Sequence, residues 1–283
     1  MNVLFNRQTA ALLALFFFLD PVLAGFDAKT AAAVDAAIVG EHRGAEAKAR
    51  DQYRHPREVL DFMGFRSDMT VLEIWPGDGW YTQVLAHALK DEGKLYAAQY
   101  DANGPFVFQR EMFGKFLVML SENPDIYRNV TVTYMDLPYQ LDLAPKASLD
   151  MAVTFRNTHN WVEPFFGGGK YAVLPFAAMY DALRPGGILG VVDHRWLDTA
   201  TEDPMSMNGY ISVERTINLA EQAGFKFVGE SDILRNPKDT RDHPNGVWTL
   251  PPTWALGDKD RDKYAAIGES DRFVLKFEKP SDQ

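Results

Sequence analysis

Short apolar runs, separated by polar stretches with helical spacing, are the main pattern of this chain. The runs are rich in β-branched and aromatic residues, which is typical of β-strands. Seven of them predict strands, at residues 71–75, 93–99, 130–134, 149–154, 188–192, 225–231 and 272–278. Since no Pro/Ser-rich linker divides the chain, the pattern predicts one large α/β domain.

The stretch Val71–Thr82, VLEIWPGDGWYT, joins the first predicted strand to a helix expected over Tyr81–Leu89. Gly77 and Gly79 in the intervening turn let the backbone approach a ligand closely. The first N–H groups of the helix lack partners within it and point at the turn. Glu73, near the end of the strand, can accept a hydrogen bond from a ribose or an amine. The stretch therefore predicts an anion- and nucleotide-binding corner.

This corner resembles the first motif of class I S-adenosylmethionine (SAM) dependent methyltransferases, an acidic residue followed by alternating glycines. Glu73 matches the acidic position, Gly77 and Gly79 match the second and third glycines, and Trp75 replaces the first. The LRPGG turn at residues 183–187 resembles the family's approach to its fifth strand. With the strand ends described below, the chain looks closest to bacterial exported proteins labelled predicted methyltransferases.

The resemblance implies a Rossmann-like α/β fold with a seven-stranded, mostly parallel sheet in the order 3-2-1-4-5-7-6. It also implies helices on both faces, an N-terminal helical lid, and SAM as the cofactor. The implied cofactor-binding residues lie in the corner and after the second and third strands: Glu73, Trp75, Gly77, Gly79, Gln99, Asp101 and Asp136.

Three of these positions have specific implied roles. Gln99, with Asp101 two residues later, stands where the family carries an acid that binds the ribose hydroxyls. Asp136 stands where an acid contacts the adenine amino group. A strand-end or turn aspartate is the alternative for Asp136.

Hydrogen-bonding side chains are concentrated after the fourth predicted strand, in Phe155–Trp161, FRNTHNW. Ligands of open α/β sheets bind outside the carboxyl ends of the strands. The expected substrate-binding residues are taken from this segment, from the end of the fifth strand and from the N-terminal segment: His55, Asn157, Asn160, Trp161 and Arg195.

His159, from the same segment, and His194, from the fifth strand, are the candidate catalytic bases. Asp193 is expected to orient one of the imidazoles. A strand-end histidine is often structural, which is the alternative for His159. His55 and these three residues also allow a metal site, because imidazole and carboxylate suit zinc, copper or iron, although no HExxH-type spacing occurs.

The N-terminal residues 1–24 are predicted to be a signal peptide. A lone arginine, Arg7, precedes the apolar run Ala10–Leu19, and small residues end at Ala24, where cleavage is expected. An uncleaved anchor is the alternative. Cleavage implies a periplasmic or secreted protein without stable membrane insertion.

The mature chain is then divided into an N-terminal helical segment, residues 25–58, and a methyltransferase-like domain, residues 59–283. One continuous helix is expected from residue 25 to about Tyr53, and an amphipathic helix is expected over Ile211–Ala223. A polar insertion over residues 232–271 is expected to form an ordered flap, and a packed surface loop is the alternative. In the helical segment, Tyr53, Arg54 and His55 are candidates to line the lid. For Arg54, a solvated helix end is the favoured alternative.

The formal net charge of -10 and the absence of a basic run make nucleic acid an unsuitable partner. The chain has no cysteine, which excludes disulfides and thiolate metal sites. The sequence thus predicts a SAM-dependent methyltransferase acting on an unidentified small molecule. The main alternative is an exported, non-catalytic protein that reuses the fold to bind a small ligand, which Trp75 and Gln99 favour.

Overall fold

The computed structural model describes residues 25–281, and its centre is an eight-stranded sheet. The strands are β1 (Thr70–Ile74), β2 (Lys94–Gln99), β3 (Val130–Tyr134), β4 (Leu149–Phe155), β5 (Leu183–Trp196), β6 (Ile211–Ser212), β7 (Lys226–Ser231) and β8 (Arg272–Glu278). Their order is β3-β2-β1-β4-β5-β8-β7, and β6 pairs with β5. Only β8 runs antiparallel to its neighbours, β5 and β7. The predicted order of the seven longer strands is confirmed, and the two-residue β6 is additional.

Helices cover both faces of the sheet, as predicted. They are α1 (Ala28–Val39), α2 (Ala45–Ala49), α3 (Asp51–Arg54), α4 (Pro56–Met63), α5 (Trp80–Leu89), α6 (Val107–Glu122), α7 (Pro124–Tyr127), α8 (Thr158–Trp161), α9 (Leu174–Ala182), α10 (Val213–Gln222) and α11 (Arg261–Ile267). Side chains of α1, α4 and α5 form one hydrophobic cluster with the sheet. Side chains of α9 and α10 form the second cluster on the opposite face.

The alternation of side chains along β1 positions the first site residue. Leu72 and Ile74 pack into the cluster with α9, whereas Val71 packs into the cluster with α5. Since successive strand residues point to opposite faces, Glu73 lies on the α5 side. There its carboxylate accepts a hydrogen bond from the Oγ1 of Thr82 in α5, at 2.6 Å.

Three local predictions differ from the structure. The continuous N-terminal helix is divided into α1, α2 and α3, because residues 40–44 leave the helical conformation. The LRPGG segment belongs to β5, in which Leu183 pairs with Leu149 and the N–H of Gly186 donates to the carbonyl of Lys279. The helix expected from Ile211 begins only at Val213, because Ile211 and Ser212 pair with the end of β5.

The insertion at residues 232–271 is folded and carries a 3₁₀ turn, Gly246–Thr249, and helix α11. No helix in residues 25–281 is long and apolar enough to cross a membrane. The predicted signal peptide lies outside the described residues and stays a prediction.

Candidate functional site

A cavity of about 310 Å³ opens at the carboxyl edge of the sheet, where the sequence places its candidate residues. It is bounded by the glycine corner, by the segment after β4 and by the insertion, which contributes Val247, Trp248, Pro251, Pro252 and Thr253. The polar and charged side chains of its lining come from the N-terminal segment, the glycine corner, the segment after β4, β5, the insertion and β8: Arg50, Arg54, Glu73, Asp78, Arg156, Asn157, His159, Asn160, His194, Ser270 and Arg272.

The glycine corner has the backbone conformation that close approach of a ligand requires. Gly77 and Gly79 both have positive φ, at 64° and 89°. A Cβ at Gly79 would come closest to the flexible end of Met119, so the positive φ, and not packing, favours glycine there. Trp75, at the position of the missing first glycine, keeps a left-handed φ of 42°. The corner therefore retains the shape of a glycine turn despite the tryptophan.

Glu73 lines the cavity but is only 2% exposed. Burial raises the pKa of its carboxyl to about 8, an effect that the hydrogen bond from Thr82 only partly opposes. The side chain is therefore mostly protonated at neutral pH.

The indole of Trp75 extends from the corner towards the end of β3. Its Nε1 donates to the carbonyl of Met135 at 3.0 Å, and its ring packs against Tyr100 and Phe166, with centroids 4.8 and 5.1 Å away. Met135 immediately precedes Asp136, which the resemblance places beside the adenine. The indole thus reaches the region implied for the adenosine end of SAM.

The other residues implied for that end do not line the cavity. The amide of Gln99 is fully engaged by the backbone, since its Nε2 donates to the carbonyl of Gly77 at 2.8 Å and its Oε1 accepts from the N–H of Tyr100. Asp101 accepts from the N–H of Asn103. Asp136 is partly buried, and burial followed by repulsion from Asp101 raises its pKa. Gln99 thus holds the glycine turn rather than presenting its amide to the cavity.

The three substrate-binding residues predicted in the segment after β4 have different surroundings, since Asn157 and Asn160 line the cavity and Trp161 does not. Asn157 donates through Nδ2 to the carbonyl of Ile74 at 2.9 Å, which fastens β4 to the glycine corner. Asn160 lines the cavity. Trp161 is fully buried, packs against Phe176 and does not line the cavity, so the structure places it in the core instead of against a substrate.

His159 and Asp193 form a buried hydrogen-bonded pair. The Nδ1 of His159 lies 2.7 Å from Oδ1 of Asp193, whose Oδ2 accepts the backbone N–H of His159 at 3.0 Å. Since a carboxylate only accepts, Nδ1 carries the proton and Nε2 keeps its lone pair. Nε2 has no hydrogen-bond partner within residues 25–281, and the imidazole lines the cavity. Asp193 therefore orients the imidazole of His159, and the role of His159 as a general base stays a prediction.

His194 is the weaker of the two candidate bases. Its Nδ1 lies 2.5 Å from the Oγ of Ser270, and burial, followed by the positive charges around it, lowers its pKa well below the ordinary value. Ligand atoms of His159, Asp193 and His194 lie within 4.8 Å of one another. Both oxygens of Asp193 already accept hydrogen bonds, from the ring and backbone of His159 and from the backbone N–H of His194, so within this group the carboxylate orients its neighbours.

His55 and Arg195 lie outside the cavity lining. His55 has a left-handed φ of 38°, between α3 and α4, and lines a separate depression with Tyr53. Arg195 pairs with Glu230 and lies 3.4 Å from Asp232, so it ties β5 to β7 and to the start of the insertion. His55 therefore does not join the other three residues considered for a metal site. The position of Arg195 does not support a role in substrate binding.

Four arginines line the cavity, and Arg54 is the one that the sequence identified as a candidate. Arg54 is 3% exposed, so the favoured interpretation of a solvated helix end is wrong. Its Nε lies 3.3 Å from Glu269, which also accepts from Arg50 at 2.6 Å and from Arg272. Burial alone would raise the pKa of Glu269, but the guanidinium groups hold it well below its usual range.

Arg156 is the fourth arginine of the lining. It has a left-handed φ of 65°, and its side chain makes no hydrogen bond or ion pair with any residue in the part of the chain that the structure describes. The one feature of the sequence that could have identified Arg156 as a site residue is its position directly before Asn157, in the segment after the fourth predicted strand. Glu269 and Arg272 lie in no recognisable motif.

Comparisons with known structures address the fold. The chain is similar to a SAM-dependent methyltransferase from Aquifex aeolicus, with a TM-score of 0.53, 16% identity, and coverage of 90% of this chain and 99% of that one. The chain has the class I methyltransferase fold. It is also similar to the cyclase SpnF, with a TM-score of 0.54, 16% identity, and coverage of 89% and 93%. The methyltransferase fold therefore also occurs in a protein named for another reaction.

Sequence comparison gives a shorter match. The chain is 28% identical over 196 residues to the PKS-NRPS hybrid synthetase cheA of Chaetomium globosum, covering 68% of this chain and 4% of the synthetase. The chain thus spans a small fraction of the curated relative that it matches. No protein-family model matches the chain.

The raised pKa of Glu73 generates a prediction on stability. An acid whose pKa is higher in the folded state weakens folding as pH rises from its unfolded pKa, 4.5, to its folded pKa, about 8. Across that window, wild-type protein should lose up to about 4 kcal/mol relative to Glu73→Gln, which keeps an acceptor for Thr82. Urea unfolding of both proteins at pH 5, 7 and 9 measures the difference, and a constant difference would contradict the prediction.

A second prediction concerns Glu269. Glu269→Gln removes the carboxylate that Arg54 and Arg272 share while both guanidinium groups stay buried. Unfolding free energy should fall by about 3–5 kcal/mol. The exposed Glu46→Gln is the matched control and should change stability by less than about 0.5 kcal/mol. Equal unfolding midpoints for the two variants in guanidinium chloride would show that Glu269 is not the required counter-charge.

Proposed function

We propose that this protein is a SAM-dependent methyltransferase acting on a small molecule, with His159 as the general base. The observation that carries the proposal is the pair formed by His159 and Asp193 at the edge of a cavity that begins at the glycine corner. The methyltransferase fold supports it, and the corner supports it through Glu73, Gly77 and Gly79.

The residues fit SAM unequally along its length. At the corner, the two glycines and Glu73 border the cavity or its turn and would hold the amino acid end. At the adenosine end, the indole of Trp75 and the engaged amide of Gln99 stand where the resemblance places adenine and ribose. Binding there requires the indole to turn away from Met135. Glu73, Gly77 and Gly79 are therefore the residues that we assign to the cofactor.

When bound, SAM supplies an electrophilic methyl group on a sulfonium. The protein's part is to align an oxygen, nitrogen or sulfur of the acceptor with that methyl, a contribution that can reach about 7–11 kcal/mol. The Nε2 of His159 takes the proton that the acceptor loses. Asp193 keeps Nδ1 protonated and stabilises the resulting imidazolium. The insertion excludes water through Trp248 and the two prolines at 251 and 252.

An exported, non-catalytic ligand-binding protein is the second candidate. The specific observation in its favour is the indole of Trp75, which is bonded to Met135 and packed against Tyr100. In that case the fold would bind a small ligand in the cavity without methyl transfer. Periplasmic or secreted location stays part of both proposals.

Calorimetry with SAM and its demethylated product, S-adenosylhomocysteine, distinguishes the two candidates. Wild-type protein is expected to bind both at micromolar concentrations. Glu73→Gln is expected to bind SAM at least tenfold more weakly, about 1.4 kcal/mol, because the bound ammonium favours the charged form of the Glu73 carboxyl and glutamine has no charged form. Binding by Trp75→Gly alone would show that the native indole blocks the cofactor and would support the second candidate, as would no binding by either protein.

The base generates its own prediction. With labelled SAM and an acceptor found by screening small acids, His159→Gln should lower the methyl-transfer rate by about 10²–10⁴-fold while its affinity for S-adenosylhomocysteine stays unchanged. His194→Gln is the matched control, because it also replaces a buried imidazole of the cavity. Its methyl-transfer rate should fall much less than that of His159→Gln. Equal rate losses in the two variants would contradict the assignment of His159.

A further inference from the structure

Four arginines line the cavity, and one buried carboxylate, that of Glu269, is the acidic partner of three of them. Arg50, Arg54 and Arg272 all bond to Glu269, and Arg156 bonds to no acidic group among residues 25–281. The other acids of the lining do not balance them. Asp78 is exposed to solvent, and Glu73 is mostly protonated at neutral pH. The cavity thus carries positive charge that its own residues leave unpaired.

Unused hydrogen-bond donors accompany this charge. The Nη2 of Arg54, the Nη2 of Arg50 and the Nε of Arg272 are buried and have no partner in the described part of the chain. Arg54 and Arg272 are 3% and 2% exposed, so these donors are shielded from bulk water. A buried guanidinium donor without an acceptor is costly, and a carboxylate or phosphate oxygen satisfies it best.

Arg156 is held in place by its backbone and not by its side chain. Its N–H donates to the carbonyl of Val192 at 2.7 Å, and its left-handed φ is one that long side chains rarely adopt. Strain of this kind persists where the surrounding structure fixes it and is common at ligand sites. The guanidinium is therefore presented to the cavity with all its donors available.

From this arrangement we propose that the molecule accepted by the cavity is an anion, whose carboxylate or phosphate group binds Arg156 together with the free donors of Arg54 and Arg272. One part of this inference rests on the proposed function, namely that the bound anion is the methyl acceptor. SAM does not supply the missing charge, because its sulfonium and ammonium outweigh its single carboxylate. The base, His159, lines the same cavity and would face the bound acid.

The test uses the purified chain and four probes: benzoate, phenyl phosphate, inorganic phosphate and, as the neutral isostere of benzoate, benzamide. Calorimetry should detect the aromatic anions and not benzamide. Arg156→Gln should weaken anion binding at least about tenfold, the usual effect of losing a charge-assisted hydrogen bond. Arg66→Gln, an exposed arginine paired with Asp68 outside the cavity, is the matched control and should bind as wild type does.

Arg156→Gly separates a binding role from a structural one. Because glycine adopts a φ of 65° without strain, this variant should keep the wild-type melting temperature or exceed it while losing anion binding. A lower melting temperature with unchanged anion affinity would overturn the proposal. Equal binding of benzoate and benzamide would overturn it as well. A preference between benzoate and phenyl phosphate tells which acid the acceptor carries.

A titration at saturating S-adenosylhomocysteine distinguishes an anionic acceptor from the carboxylate of the cofactor. Anion binding that persists there supports the proposal, and strict competition would show that Arg156 serves the cofactor and would overturn it. Anion binding without any binding of S-adenosylhomocysteine would refute the proposed methyl transfer and leave the anion site standing. Binding of S-adenosylhomocysteine without anion binding would do the reverse.

Discussion

A single buried carboxylate, Glu269, joins the N-terminal helical segment to the end of the insertion and the start of β8 at one cavity. It accepts from Arg50 and Arg54 of the N-terminal helical segment and from Arg272 at the start of β8. Each guanidinium loses most of its hydration on folding, a cost that only a close counter-charge offsets. Because one carboxylate cannot satisfy three guanidinium groups, the fold closes with donors left over. The same interaction thus attaches the N-terminal helical segment and leaves the cavity positively charged.

The glycine corner, in contrast, is held together by neutral contacts. Glu73 is buried and mostly protonated, and the amide of Gln99 donates a hydrogen bond to the carbonyl of Gly77 in the glycine turn. Trp75 fills the space beside Tyr100. The corner therefore keeps the glycine-turn backbone and the acidic residue Glu73, whereas Trp75 and Gln99 replace the first glycine and the ribose-binding acid of the resemblance. Fold similarity at 16% identity is compatible with either methyl transfer or another ligand, so the side chains must decide the function.

The sequence predicted the parts of this structure that follow from local pattern. Apolar runs gave the strands, and the rule that parallel strands end at one edge brought His159 together with Asp193 and His194. Contacts between residues far apart in the chain were not predictable. Glu269 and Arg54 are 215 positions apart, and the residues next to each of them in the sequence indicate neither its burial nor its partner. The direction of the Trp75 indole depended on the carbonyl of Met135, 60 positions away, which no motif contains.

The ends of β1 and β4 show how this edge of the sheet is built for a ligand at a cost in stability. The residue after each strand, Trp75 and Arg156, has a left-handed φ, which costs about 1–3 kcal/mol for a non-glycine residue. Each backbone N–H still donates to the neighbouring strand, to Ala98 and Val192 respectively, so the sheet ladder holds the strained conformation. Glycine would remove the strain at both positions, but it would also remove the indole and the guanidinium. The hydrogen bonds of the sheet therefore offset the strain at both positions, and the guanidinium of Arg156 stays available for the anion that we propose.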